Sequence, residues 1–186
     1  MGTVDPAFTD PVLGIFNRRY LHETLPREAA RARHSGQSLS VIIAAVDHLE
    51  QIATNHERQT ADAVLRHAIE LVQPALRHAD WMARYGNEEF VIVLPATHLD
   101  GAYAAAERMR RRFAEKPFAS PLRQLGITGS FGVACLDAVT DPADDANPLL
   151  RDAENALAQS KSGGHDRVTC GPAKPLRAQA TTQEPV

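Results

Sequence analysis

Apolar positions recur along this chain in two periods, and the switches between those periods lay out its elements. After a turn, Tyr20, Leu21 and Leu25 fall at helical spacing and predict a helix running to about Ala30. Ser38 to Val46 is an unbroken apolar run rich in β-branched residues, the pattern of a buried strand. Beyond Asp47 the helical period returns at Leu49, Ile52, Ala53, Ala63, Val64, Ala68, Leu71, Val72 and Leu76, with a break expected near Asn55. Two β-prone runs, Trp81 to Tyr85 and Phe90 to Leu94, flank Gly86-Asn87 and predict a tight hairpin with the glycine at positive φ. Asp100 to Lys116 reads as a helix with an apolar stripe (Ala102, Ala106, Met109, Phe113) and a basic face (Arg108, Arg110, Arg111, Arg112). A strand over Ile127 to Leu136, a helix over Leu149 to Lys161 closed by Gly163-Gly164, and a short strand from Arg167 to Cys170 complete the pattern. Met1 to Thr9 lacks periodicity and reads as a leader or linker, Asp141 to Pro148 as a polar loop, and Gly171 to Val186 as a disordered tail. The order α-β-α-β-β-α-β-α-β mixes a hairpin with crossovers. It argues for an α+β fold in which helices cover a mostly antiparallel sheet.

Composition narrows the class without naming a chemistry. A chain of 186 residues, 44% hydrophobic, is long enough for one domain with a real core. A net charge of −3 gives no reason to expect nonspecific nucleic-acid binding. No apolar run approaches a membrane span and no signal peptide is visible. Cys135 and Cys170 lack metal-ligand spacing and suit reduced thiols, so a soluble, cytoplasmic protein is expected.

The chemistry concentrates at the hairpin. Glu88 and Glu89 follow the turn directly, and on a strand adjacent side chains point to opposite faces. Nine residues before the turn, Arg77 and Asp80 have the i, i+3 spacing of neighbours on one helix face; read structurally, they form an exposed ion pair worth a few tenths of a kcal/mol. The histidines, among them His48, His56, His67 and His78, show no metal-ligand constellation, and Trp81 reads as a core residue that could alternatively stack on a base.

These residues resemble a family. Arg84-Tyr85-Gly86-Asn87-Glu88-Glu89-Phe90 is similar to the GGDEF/GGEEF signature of diguanylate cyclases, with Asn87 in place of the second glycine. Arg77-x-x-Asp80 stands at the spacing of the family's inhibitory product-binding site, and Asp10 to Arg19 resembles its opening motif, with Leu13 at the threonine position. Thr128 to Ala134 also matches, so the likeness covers roughly residues 10–170 and implies the cyclase palm-like fold. Because the domain starts almost at residue 10, any upstream sensory domain is expected to lie outside this chain.

The resemblance implies a reaction and permits a check of its parts. Active members condense two GTP molecules, one on each subunit of a dimer, with divalent metals. The first metal-binding Asp of the family is Ala45 here; Asp47 matches a second Asp that reads as structural; the lysine after it is Glu50. The guanine-binding Asn is Ala53, its partner survives as Asp62, and the family's Gly-His is Glu57-Arg58. Glu88, Glu89 and Lys161 remain, whereas the Arg four residues after the lysine is His165. The half-site therefore reads as degenerate, with Asp47, Asp62, Glu88, Glu89 and Lys161 vestigial and no metal site expected. Arg77 and Asp80 are intact: an Arg fork grips a guanine edge or phosphate bidentately, and an Asp accepts from guanine N–H groups. A second Arg from the following helix is assigned by spacing to Arg108, with Arg111 and Arg112 nearby.

The leading expectation is a catalytically inactive GGDEF domain acting as a cyclic di-GMP receptor, needing no cofactor and passing its signal to an output domain or partner. A homodimer bridged by ligand is a further expectation. Two alternatives stay open: a divergent diguanylate cyclase holding magnesium through Asp47 and Glu88, and a dimerisation or partner-docking platform that binds no nucleotide.

Overall fold

A computed structural model describes residues 5–56, 58–120, 123–136 and 146–172. Of the loop expected over 141–148, residues 141–145 lie outside the described residues while Asn147 and Pro148 open the last helix, and of the tail expected from Gly171 the residues from 173 lie outside. Five strands form one sheet in the order β2-β3-β1-β6-β7, where β1 is Leu39–Val46, β2 Trp81–Arg84, β3 Glu89–Pro95, β6 Gly129–Leu136 and β7 Val168–Cys170. All neighbours are antiparallel except β6 and β7. A small hairpin, β4 (Phe118–Ser120) with β5 (Arg123–Leu125), stands apart from it. The sequence pattern did not predict that hairpin.

Every residue of β1 is buried because helices cover both faces of the sheet. On one face Ile42, Ala44 and Val46 meet α2 (Leu49–His56), α3 (Arg58–Val72) and α4 (Leu99–Glu115). On the other, Leu39, Val41, Ile43 and Ala45 meet α1 (Arg18–Ser35) and α5 (Asn147–Ser162). Two-sided burial explains why the strand reads as a continuous apolar run rather than an alternating one. The break expected near Asn55 falls between α2 and α3.

Asn17 caps α1 by accepting from the Tyr20 N–H at 3.0 Å, and Gly36 ends it at φ 65°. The helix runs five residues past the expected stop at Ala30, and through Pro26, because buried Ala29 and Ala32 continue the stripe begun by Leu21 and Leu25. Upstream, residues 5–9 form a 3-10 turn tied to the domain at Phe8 rather than trailing. Asn17 donates from its backbone to Phe8 O at 2.8 Å, and the Phe8 ring meets Tyr20 edge-on at 5.7 Å. Tyr20 stacks on Phe16 at 3.7 Å and meets Trp81 edge-on at 5.3 Å, so Trp81 is part of an aromatic cluster. Phe16 also bonds along the outer side of β2, donating to Met82 O and accepting from the Arg84 N–H.

α5 lies unusually close to the sheet. A Cβ on Gly132 would sit 2.1 Å from Ala153 O and 2.3 Å from Leu157 N, so only glycine permits this approach. Among the described residues no helix is long and apolar enough to cross a membrane, and both cysteines are free thiols.

Candidate functional site

The hairpin differs from the tight turn expected. Pairing ends at Arg84 and Phe90, and the Tyr85 and Gly86 N–H groups both donate to Glu89 O, leaving the wider loop Tyr85–Glu88. Gly86 is not among the residues at positive φ. Its smallness serves the next carboxylate instead, since a Cβ there would lie 3.1 Å from Glu89 Oε2. Arg84 holds the loop from below: Nε donates to Gly86 O at 3.1 Å, Nη2 to Asn87 O at 3.3 Å, and Nη1 pairs with Asp10 at 3.1 Å.

Glu88 and Glu89 were expected to point apart. Glu88 precedes the strand, so the strand's alternation does not apply to it, and both carboxylates converge on one ammonium. Lys161 on α5 donates to Glu88 at 2.8 Å and to Glu89 at 2.9 Å. Burial disfavours that charge, yet the two carboxylates outweigh it and hold the Lys161 pKa above its ordinary value. Beside them the Tyr85 hydroxyl donates to Glu154 on α5, and burial together with this carboxylate pushes the phenol pKa up.

Ala45 is fully buried and pairs with Glu89 across the β1–β3 ladder, so no side-chain oxygen faces Glu89 from that position. The Asp47 carboxylate is occupied: it accepts from Thr128 Oγ1 and Ser130 Oγ, each at 2.7 Å, and from the Asp166 N–H at 3.1 Å. It braces β1 against the start of β6 and the turn before β7. Among the described residues no three His, Cys, Asp or Glu side chains are grouped to hold a metal ion.

Between α2, α3 and the hairpin opens a cleft of about 690 Å³. Leu49, Ala53, Ala61 and Leu65 form its apolar wall; Glu50, Asp62, Glu88 and Glu89 supply carboxylates. Among the described residues Arg84 is its one lining cation, and its guanidinium is taken up by Asp10 and the loop carbonyls.

Arg77 and Asp80 lie on a turn, not on a helix. α3 gives way to a 3-10 turn over Gln73–Ala75, after which Asp80 N–H donates to Arg77 O at 3.1 Å. The Asp80 carboxylate accepts from the Arg77 backbone N–H at 2.8 Å, which replaces the helix-face ion pair. The exposed Arg77 guanidinium has no partner among the described residues.

Of the three candidate second arginines, two are engaged. Arg112 donates to Leu71 O at 3.2 Å, and Arg111 approaches Glu107 at 4.0 Å. Arg108 is exposed and without a partner among the described residues. α3 and α4 run antiparallel here, with Lys116 O level with His67 and Arg112 level with Leu71. One more turn along that register sets Arg108 level with Ala75, at the approach to the Arg77 turn.

The family model described as "Diguanylate cyclase, GGDEF domain" matches residues 7–167. This chain belongs to the GGDEF family. Over 162 residues it is 35% identical to the diguanylate cyclase DgcP of Pseudomonas aeruginosa, covering 87% of this chain and 24% of that protein. The chain spans between 24% and 43% of the length of curated relatives it matches. Among solved structures, the GGDEF domain of DgcB from Caulobacter crescentus in complex with c-di-GMP superposes with a TM-score of 0.83 at 26% identity, over 90% of this chain and 97% of that one. The active GGEEF domain of a diguanylate cyclase from Vibrio cholerae gives a TM-score of 0.77 at 31% identity, over 85% and 98%. The α+β fold expected from the sequence is thus the GGDEF fold.

Proposed function

We propose that this GGDEF domain is a receptor for cyclic di-GMP that does not condense GTP. The observation that carries the reading is the Arg77 turn: Asp80 fixes the backbone while the guanidinium stays exposed and free to grip a guanine edge or phosphate. Arg108 is the second cation for the dinucleotide, since Arg111 and Arg112 are engaged. A complex with c-di-GMP in the DgcB GGDEF domain supports the ligand class.

The opposite side of the hairpin does not suit two GTP molecules and their metals. Ala45 brings no ligand, Asp47 already accepts three hydrogen bonds, and Glu88 and Glu89 share Lys161, which offsets one of their two charges. That pairing also removes Lys161 as a free partner for a triphosphate, and Glu50 adds negative charge to the cleft wall. Losing one preorganised charge-stabilising group costs on the order of 10²–10³ in rate. A divergent cyclase is the second reading, favoured by the cleft that persists with Asp62, Glu88 and Glu89 along it.

Calorimetric titration separates them. Cyclic di-GMP is expected to bind wild type at micromolar or lower concentration and to lose binding in Arg77→Ala, while GTP with magnesium gives no heat. Product formation by wild type would establish the cyclase. Absence of binding by either nucleotide would leave a docking platform.

A further inference from the structure

Three non-glycine residues with left-handed backbone meet at one point behind the hairpin: His48 at φ 58°, His165 at 63° and Asp166 at 44°. Such backbones cost on the order of 1–3 kcal/mol each and persist only where their surroundings hold them. Here the hold is visible. The Asp166 N–H is bonded to Asp47, the Asp166 carboxylate accepts from Arg110 at 2.9 Å, and the His165 N–H donates to Ser160 O at 3.1 Å. This bracing carries the two imidazoles together from the end of β1 and the turn before β7, with ring centroids 4.6 Å apart and planes tilted by 39°.

One ring nitrogen of each of His22, His67 and His98 is engaged in a hydrogen bond. The ring nitrogens of His48 and His165 have no partner among the described residues. His48 is exposed and His165 half-buried, so a small ion reaches both. With metal–nitrogen bonds of about 2.0–2.1 Å, a shared ion sits roughly 3.2 Å from each ring centroid. Two centroids so placed are about 4.5 Å apart at a right angle and about 5.2 Å apart at the tetrahedral angle. The observed separation of 4.6 Å falls within that interval.

We propose that His48 and His165 form a two-imidazole chelate for a late first-row divalent ion: nickel, copper or zinc. Imidazole selects these ions over magnesium, which prefers oxygen ligands. No third His, Cys, Asp or Glu joins them among the described residues, so water or an added donor fills the remaining positions. The proposal does not rest on cyclic di-GMP binding.

Titration of the full chain with nickel or zinc chloride tests it. One ion per chain is expected, and either His48→Asn or His165→Asn weakens binding by on the order of 10²-fold through loss of the chelate. Asn is chosen because it tolerates left-handed backbone; His34→Asn serves as the control and binds as wild type does. Substoichiometric copper, added to wild type alone, broadens the imidazole proton resonances of His48 and His165 before any others. Absence of saturable binding up to about 1 mM, full binding by His165→Asn, or prior broadening of other histidines overturns the proposal.

Discussion

Asp47 decides more of this site than any other single side chain. Its carboxylate satisfies two hydroxyls at the start of β6 and a backbone N–H in the turn before β7. Asp47→Ala leaves those donors without their acceptor, and hydrogen bonds to charged groups are worth about 1.5–3 kcal/mol; a loss of about 3 kcal/mol in urea-unfolding stability is expected. Lys161 yields a pH prediction. Its folded pKa is raised, so its contribution is complete below the unfolded value of about 10.5 and is lost as pH climbs through the higher folded value. Urea midpoints measured on either side of that range should converge between wild type and Lys161→Met at high pH. The residue scale is also where the sequence misled. Ala45, Glu50 and Ala53 were readable as departures because they are changes of type. The convergence of Glu88 and Glu89 was not, because period-two alternation holds only inside a strand and Glu88 stands one residue outside it. Nor did spacing join His48 to His165, which meet only once β1 and β7 occupy one sheet.

At the scale of elements, α5 is the piece that sets the hairpin's chemistry. It presents Lys161 to Glu88 and Glu89, and Glu154 to Tyr85. Gly132 fixes how deeply that helix sits, with backbone atoms where a Cβ would be. Gly132→Ala is therefore expected to destabilise the protein by about 3 kcal/mol or more, read by chemical denaturation. It should also separate Tyr85 from Glu154, read as a fall in the phenol's titration midpoint. Helix and strand existence was legible because apolar periodicity is strong in α3 and α4 and β1 is a continuous, β-branched apolar run. The Arg77 turn was not, since i, i+3 spacing fits a turn as well as a helix, and the β4–β5 hairpin carries no alternating apolar face to announce it.

For the whole molecule, the two proposed nucleotide sites would share one sheet-and-helix body, and they are predicted to respond differently to repair. Ala45→Asp with Asn87→Gly supplies a carboxylate facing Glu89 and removes the loop side chain, so GTP binding dependent on magnesium should appear in calorimetry. Cyclic di-GMP affinity should stay unchanged, since neither substitution touches Arg77, Asp80 or Arg108. The topology itself was only partly written in the pattern: hairpin and crossover were visible, but the parallel placement of β7 beside β6 depends on which edge remains open after β1, β3 and β2 have paired. The opposite edge has its own guard. By bonding to Met82 and Arg84, Phe16 occupies amide groups that an outermost strand would otherwise offer to a neighbouring chain. The opening turn thereby covers an edge that would otherwise be open to pairing with another chain.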